Sequence, residues 1–378
     1  MPNFIDRLNE RLAEEQKKAE MRETLTQNAS LHERSLQELV GKHWHAPLRP
    51  QKNQNRRPAF AVDGSRAVRH LANGAYLFVA QALAIGDVNG NRAESSDVDV
   101  RILPGATDEA IVERSAGFMM HRLEVTLAHE QAHRAPQGSV LFLDGALYGQ
   151  LSSLYPLSEK PEMELPPEIS RMPQEILEHY LDLFAECQKR NLFLISIAKT
   201  SHEVAHGEVW WRETYGKEES MPRVISDSEA IYRWTRRESG FSTPILFGQR
   251  AFFRGSRRAL LDSMRSAPAI VSFFVRLEDF DDALRIDVPA SCIGRAETIG
   301  DVEQEQLIDP EQVQPILDLL AMDYGGLEVY NALLYSVDRE VRLQQDVMDQ
   351  VYLSMIQSAL GDDIEVRLDR SERRFHSR

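Results

Sequence analysis

The chain has 378 residues, of which 42% are hydrophobic and 27% are charged, a composition typical of a globular protein with one large domain or two ordinary ones. Its formal net charge of −15 argues against a protein that coats nucleic acid passively, because phosphate contacts favour basic surfaces. This charge does not exclude an enzyme with a local basic tract and an acidic metal site, and it suits a partner with a basic surface.

Signals for membranes, secretion and disulfides are weak. The sequence has no run of about 18 apolar residues, so we expect no transmembrane helix. The stretch MPNFIDRLNERLAEEQ is too charged for a secretory signal. Cys187 and Cys292 are far apart and form neither a disulfide framework nor a CxxC metal site. We therefore expect a cytoplasmic protein.

The first part of the chain reads as a helical extension. Over residues 1–40, Ile5, Leu8 and Leu12 recur at helical spacing among many charged residues, which is typical of a solvated helix with one packing stripe. A polar stretch with three prolines follows and reads as a linker. We predict an N-terminal helical extension and linker over residues 1–50, and one main domain over residues 51–378.

Three strands are predicted next, over residues 59–62, 75–85 and 97–103. The first two are apolar runs, and the third alternates with period two, as a half-buried strand does. Turn signals at Asn73-Gly74 and in residues 87–90 separate them. Because the connections are short, we expect the three strands to be antiparallel.

The later elements alternate between helix and strand. We predict a helix over 107–134, a strand over 139–143, a helix over 174–190, a strand over 192–199, strands over 270–277 and 284–288, and helices over 310–360 that close with a long amphipathic helix. This is the element order of a ribonuclease H-like α/β fold, a mixed sheet flanked by helices. In that fold the first and fourth strands lie side by side.

Acidic residues follow two of the predicted strands. Asp63-Gly64 and Asp144-Gly145 each come directly after an apolar run, and we interpret each glycine as letting the backbone turn away from the acid. Taken singly, each pair is an ordinary strand-to-turn exit. Carboxylates brought together would repel one another unless a cation neutralised them, and oxygen ligands of this kind suit Mg²⁺ or Mn²⁺.

Five segments together resemble a known family. They are AVDGSR at 61–66, FLDGALYG at 142–149, ISIAKTS at 195–201, RIDVP at 285–289 and VYNALLYSVDREVRL at 329–343. In their order and strand contexts they resemble the NurA nuclease family. The resemblance implies a ribonuclease H-like fold and a Mn²⁺-dependent (or Mg²⁺-dependent) DNA nuclease with exonuclease and single-strand endonuclease activity. It also implies a homodimer that works with a hexameric HerA-type ATPase in DNA end resection and double-strand break repair.

The resemblance also implies roles for particular residues. Asp63 and Asp144 match the strand acids, Lys199 the family lysine and Tyr330 its C-terminal tyrosine. Glu124 is the best match for the helix acid, with Glu113 and Glu130 as alternatives on the same predicted helix. Asp338 stands where members often have histidine, and the proline common near the tyrosine is missing. The expected metal ligands are Asp63, Glu124, Asp144 and Asp338.

A basic tract lies at residues 233–265. Eight arginines stand there against Glu238 and Asp262, interleaved with Trp234, Phe252 and Phe253. Arginine binds phosphates and aromatic rings stack on unpaired bases, so the tract predicts contact with DNA, although a solvated helix face with core aromatics gives the same pattern. The arginines we assign to DNA binding are Arg233, Arg236, Arg237, Arg254, Arg257 and Arg258.

Two alternatives to a nuclease are open. The motif HExxH occurs at residues 129–133 and 202–206, and on a helix its histidines can bind the zinc ion of a metalloprotease. Both contexts are poor, because Pro136 ends the first predicted helix and the second motif comes straight off a strand. The other alternative is a non-catalytic adaptor of a DNA motor, which would suit the N-terminal helix and the net charge.

Overall fold

The structure is a computed structural model that describes residues 4–24, 29–50, 56–88, 90–103, 108–159, 166–167, 169–216, 221, 225–253 and 262–360. Two helices come first, α1 (Phe4–Thr24) and α2 (Ala29–His43), followed by the short strand β1 (Trp44–His45). The apolar stripe of α1 stays exposed, whereas Leu36, Leu39 and Val40 of α2 are buried. The second half of the predicted extension therefore packs with the main body of the protein.

An antiparallel meander follows, made of β2 (Ala59–His70), β3 (Tyr76–Val88) and β4 (Asn91–Leu103). The three predicted strands are present in the predicted orientation. One interpretation was wrong: β2 does not end at Asp63-Gly64, because it stays paired with β3 from Ala59 to His70. Asp63 therefore lies in the middle of a strand, and the polar residues after it are held by β3.

A parallel unit is joined to this meander. It consists of α3 (Glu109–Arg134), β5 (Val140–Asp144), α4 (Leu147–Glu159), α5 (Met172–Arg190) and β6 (Phe193–Ala198). Strand β5 runs parallel to both β2 and β6, which gives the strand order β4-β3-β2-β5-β6. This arrangement confirms the predicted ribonuclease H-like sheet and places the first and fourth strands of the core side by side.

Short strands extend the sheet beyond β6. The elements are α6 (Ala205–Tyr215), α7 (Asp227–Trp234), β7 (Gly240–Ser242), β8 (Ile245–Phe247), α8 (Asp262–Arg265), β9 (Ile270–Arg276), β10 (Leu284–Pro289) and β11 (Gln306–Leu307). Strand β10 pairs antiparallel with β6, and β9, β7 and β1 continue the sheet to its far edge. None of the described helices is both long enough and apolar enough to cross a membrane.

The C-terminal region is made of short helices. They are α9 (Gln314–Met322), α10 (Ala332–Val341), α11 (Gln345–Val347), a π-helical turn (Met348–Tyr352) and α12 (Leu353–Leu360). The predicted long closing helix was wrong, because the chain leaves helical geometry at Arg342, where ψ is 119°. Residues 361–378, with the basic tail, lie outside the described residues.

The sheet separates two cores. On β2, Phe60 and Val62 face the core that contains α3, α4 and α5, whereas Ala59 and Ala61 face the core that contains α9 and α10. Side chains alternate between the faces of a strand, so Asp63 is expected on the same face as Ala61, toward α10. This alternation positions the candidate site.

Candidate active site

Asp63 and Asp144 lie on neighbouring parallel strands. Val62 of β2 is paired with Leu143 of β5, so the two acids follow directly after paired residues. Strand β5 ends at Asp144, and Gly145 has a φ of 99°, a left-handed conformation that favours glycine. The predicted turn after Asp144 is therefore present, and it lies where the pairing of β2 with β5 ends.

Gly64 makes room for a third acid. A Cβ at this position would lie 2.6 Å from Glu124 Oε1 and 2.7 Å from Met120 Cγ, closer than real Cβ contacts come. The Glu124 side chain therefore reaches from α3 across the bare backbone of β2 toward Asp63. The Gly64 amide itself donates a hydrogen bond to Asp63 Oδ1 over 2.8 Å. Gly64 therefore allows the Glu124 side chain to approach strand β2 closely. It does not form the turn that the sequence suggested.

The protonation of these acids is strongly perturbed. Burial, followed by the charges of Asp63 and Asp144, raises the pKa of Glu124 to about 8. Burial and then the Asp144 carboxylate raise the pKa of Asp63 to about 6, with a smaller contribution from Asp338. The charges of Asp144 and Asp338 thus act on Asp63, and those of Asp63 and Asp144 act on Glu124, as expected for acids that lie close together. We call Asp63, Glu124, Asp144 and Asp338 the acid cluster.

Lys199 is the cation beside the acid cluster. It follows β6, and its Nζ lies 3.1 Å from Asp144 Oδ2 and 5.0 Å from the centre of the Tyr330 ring. Burial favours the neutral amine, but the Asp144 carboxylate and the Tyr330 hydroxyl outweigh it and raise the pKa of Lys199 above its ordinary value. Burial and Asp144 raise the pKa of Tyr330 to about 12, so its hydroxyl stays protonated at neutral pH.

Asp338 reaches the acid cluster from another element. It lies on α10, a helix that packs against β2, β3 and β5, and its charge contributes to the raised pKa of Asp63. Arg342, one turn later, forms an ion pair with Asp338 Oδ2 at 3.1 Å. The residue predicted in place of a family histidine is thus adjacent to the strand acids.

The alternative helix acids lie elsewhere. The Glu113 carboxylate forms an ion pair with Arg66 at 3.2 Å, and exposed Glu130 forms one with Arg134 at 3.5 Å. Glu124, by contrast, lies against Gly64 beside Asp63.

The acid cluster has the chemistry of a site for hard divalent cations. Its donors are carboxylate oxygens, the ligands that Mn²⁺ and Mg²⁺ prefer. Asp63 and Glu124 have raised pKa values in the metal-free protein. The positive charge near the acid cluster is therefore too small to stabilise all of its carboxylates in the ionised form. A bound divalent cation would supply that charge. The donor atoms and the charge of the acid cluster therefore fit the Mn²⁺ or Mg²⁺ ion that the sequence predicted.

Residues 57–343 match the family model of the NurA domain. The chain belongs to the NurA domain family. Its structure is similar to that of the NurA nuclease from Sulfolobus solfataricus, with a TM-score of 0.59 and 16% identity over 93% of this chain and 97% of that one. At that identity the likeness establishes the fold. A structure of NurA bound to dAMP and manganese aligns with a TM-score of 0.44 and 13% identity over 93% and 96% of the two chains. No curated protein sequence matches.

The two HExxH motifs do not form protease-type zinc sites in this NurA domain. In the first, His133 Nδ1 lies 3.4 Å from Glu186 Oε1, and Glu130 is paired with Arg134. In the second, α6 begins only at Ala205, and His206 is fully buried among aromatic rings. Glu203 of that motif forms an ion pair with Arg285. The zinc metalloprotease alternative therefore has no site here.

The described arginines of the basic tract differ in their surroundings. Arg233 is 2.5 Å from Glu229 on α7, and Arg236 is exposed in the following turn. The Arg237 guanidinium lies over the rings of Tyr232 and Phe280 and donates to the Phe280 carbonyl. The Phe252 ring is buried in the core, as the alternative of core aromatics expected. Arg254, Arg257 and Arg258 lie outside the described residues.

A buried hydrogen-bond chain near the site was not predicted. His121 Nε2 lies 2.7 Å from the Tyr180 hydroxyl, which donates to Gln150 Oε1 at 2.7 Å. Burial and then Glu124 raise the pKa of Tyr180 well above its ordinary value. The chain joins α3, α5 and α4 beside the acid cluster. In the sequence, Tyr180 has the spacing of an ordinary core residue, so nothing there indicates that it links His121 to Gln150.

The raised pKa values predict how the stability of the metal-free protein depends on pH. Between the ordinary value of 4.5 and the folded value of about 8, the folded chain keeps a proton on Glu124 that the unfolded chain has lost. Stability from this group therefore falls as the pH rises through that window. In EDTA, melting temperatures of wild type should fall relative to Glu124→Gln as the pH rises from about 5 to about 8. Parallel curves for the two proteins would contradict the prediction, and Glu130→Gln is the matched control.

Proposed function

We propose that the protein is a Mn²⁺-dependent DNA nuclease whose metal ligands are the acid cluster. The observation that carries this proposal is the convergence of carboxylates from β2, β5, α3 and α10 where the parallel pairing of β2 and β5 ends, with two of them holding raised pKa values. Membership of the NurA domain family supports it. Mg²⁺ has the same ligand preference and is the second candidate metal.

Asp63, Glu124, Asp144 and Asp338 would hold the divalent metal in this proposal. When bound, such ions activate a water molecule and stabilise the leaving oxygen of a phosphodiester. Metal binding requires ionised carboxylates, so it must displace the proton that Glu124 holds in the metal-free protein at neutral pH. Metal affinity should therefore rise with pH over the same window in which the metal-free protein loses stability.

Lys199 and Tyr330 would act on the phosphate. The Lys199 ammonium lies beside Asp144 and stays protonated, so it can stabilise negative charge that develops on the phosphate oxygens. Tyr330 packs against this ammonium, and its buried hydroxyl makes no hydrogen bond of good geometry to another described residue. That hydroxyl remains available to donate a hydrogen bond to a phosphate or to a water molecule.

Arg233 and Arg236 are proposed to contact the DNA backbone. Both are exposed, and Arg236 has no acidic partner at salt-bridge distance among the described residues. Arg237, Arg254, Arg257 and Arg258 complete the proposed DNA-binding set.

The cellular role is proposed from the family. It comprises exonuclease and single-strand endonuclease activity in DNA end resection and double-strand break repair, as a cytoplasmic homodimer working with a HerA-type hexameric ATPase. The support for this role is the NurA domain match over residues 57–343.

The decisive experiment measures cleavage of linear double-stranded DNA and circular single-stranded DNA by the purified chain. We expect cleavage of both substrates with Mn²⁺ and none with EDTA, because the acid cluster needs a cation to activate water. Circular DNA separates endonuclease from exonuclease activity. The absence of cleavage with Mn²⁺, both alone and with the ATPase, would remove the nuclease proposal and leave the adaptor. Fractionation by size excludes a contaminating nuclease.

A further inference from the structure

A second cluster of metal-binding side chains lies outside the acid cluster, between α3 and α5. These helices pack along each other. His129 comes from α3, and His179 and Asp182 come from α5, where residues three apart share one helix face. One ligand atom from each of the three residues lies within 4.8 Å of the others.

The metal-binding atoms of these three side chains are not engaged by hydrogen bonds from other described residues. None of them makes a hydrogen bond or an ion pair within the part of the chain that the structure describes. The two histidines are partly buried and Asp182 is exposed, so solvent reaches the cluster from one side. Burial and then the charge of His129 lower the pKa of His179, which favours the neutral imidazole that binds metals.

We infer that His129, His179 and Asp182 bind one transition-metal ion of the zinc class. Two imidazole nitrogens and one carboxylate are ligands of Zn²⁺, Co²⁺ and Ni²⁺, whereas the all-oxygen acid cluster suits Mn²⁺ and Mg²⁺. Ligands of tetrahedral zinc stand about 3.4 Å apart, given metal–ligand distances near 2.1 Å. Metal binding would draw the three ligand atoms, now within 4.8 Å of one another, to that separation and leave the fourth position to water.

This site uses one histidine of the first HExxH motif, but not in the manner of that motif. His133, one turn further along α3, is directed to Glu186 instead. The bound ion would tie α3 to α5. Glu124 lies five residues before His129 on the same helix, so the tie would restrain the helix that carries one ligand of the acid cluster.

The test is Co²⁺ binding to the full chain, followed by visible absorption and by melting temperature. The background is the double variant Asp63→Asn/Asp144→Asn, which disables the acid cluster. We expect one equivalent of Co²⁺ to bind and to raise the melting temperature. His129→Gln or His179→Gln should weaken binding more than about tenfold, because even an outer partner of a metal ligand contributes 10–100-fold. His133→Gln is the matched control and should bind as the background does.

Two results would overturn the inference. One is that the background protein shows neither a Co²⁺ absorption band nor a change in melting temperature. The other is that the His133→Gln protein loses as much affinity as the His179→Gln protein. If the histidine variants have lower melting temperatures than the background protein without metal, variants of exposed Asp182 are compared instead. In that case Asp182→Glu should keep Co²⁺ binding and Asp182→Ala should lose it, and equal binding by both would also overturn the site.

Discussion

Replacing Asp63 or Asp144 with asparagine should lower Mn²⁺-dependent DNA cleavage at least about a thousandfold. Each change removes one carboxylate of the acid cluster, and metal ions contribute several kcal/mol to phosphoryl transition states, where each 1.4 kcal/mol corresponds to about tenfold in rate. Both acids stand directly after the paired segment of β2 and β5, between the two strands that form the centre of the acid cluster. Initial cleavage rates on linear DNA measure the effect.

The stability of the same variants separates loss of metal from loss of fold. Asp63 is desolvated and repelled by Asp144, which raises its pKa to about 6. A neutral amide removes that repulsion, so Asp63→Asn should melt at or above the wild-type temperature in EDTA at pH 8. It should also lose the rise in melting temperature that Mn²⁺ gives to wild type. Exposed Asp97 on β4 is the matched control, since Asp97→Asn should change neither property. Wild-type cleavage by both Asp63→Asn and Asp144→Asn would exclude the acid cluster from the chemistry.

The strands of the core were predictable because their apolar runs are local signals. Asp144 could be placed at a strand end for a similar reason, since Asp144-Gly145 forms the left-handed turn that this dipeptide favours. The identical dipeptide Asp63-Gly64 misled, because the polar residues after it stay in β2 only through pairing with β3. The pairing of two segments cannot be predicted from the local sequence of either one. The length of β2 was therefore missed.

The helices were harder to interpret where both of their sides are covered. Helix α3 lies between the sheet and α5, so its buried residues follow no single stripe. The helical periodicity of the sequence could not select Glu124 over Glu113 or Glu130 as the site acid. What distinguishes Glu124 is its contact with Gly64 in the folded chain. Helix α4 was missed although Leu147, Leu151, Leu154 and Tyr155 recur at helical spacing.

The basic tract shows the limit of counting charges. Its arginine excess is real in the sequence, but one member is paired with Glu229 and another is held over Tyr232 and Phe280. Composition reports which side chains are present, whereas their partners depend on packing between distant segments. The same reasoning explains why His129, His179 and Asp182 were not grouped from the sequence, since α3 and α5 meet only in the folded chain.

Substitution of Gly64 by alanine should lower both activity and stability. The new Cβ would lie 2.6 Å from Glu124 Oε1 and 2.9 Å from Glu124 Cγ, so this side chain must leave its place. We expect Mn²⁺-dependent cleavage to fall about 10–100-fold, on the scale of a displaced metal-site partner. Overpacking of this kind costs about 1–3 kcal/mol, measured as the free energy of unfolding in urea. Gly41→Ala on α2 is the matched control, because nothing lies within 4 Å of its Cβ.

A double-mutant cycle tests whether the clash with Glu124 is the cause. In Glu124→Ala protein the crowding side chain is gone, so adding Gly64→Ala should cost less stability than it does in wild type. The remaining cost is assigned to Met120, whose Cγ would lie 2.7 Å from the new Cβ. Activity should stay low in the double variant, since the third carboxylate is absent. If Gly64→Ala were destabilised yet fully active, the position of Glu124 would not matter for cleavage. If the two substitutions were additive in stability, Gly64 would not be the residue that makes room for Glu124.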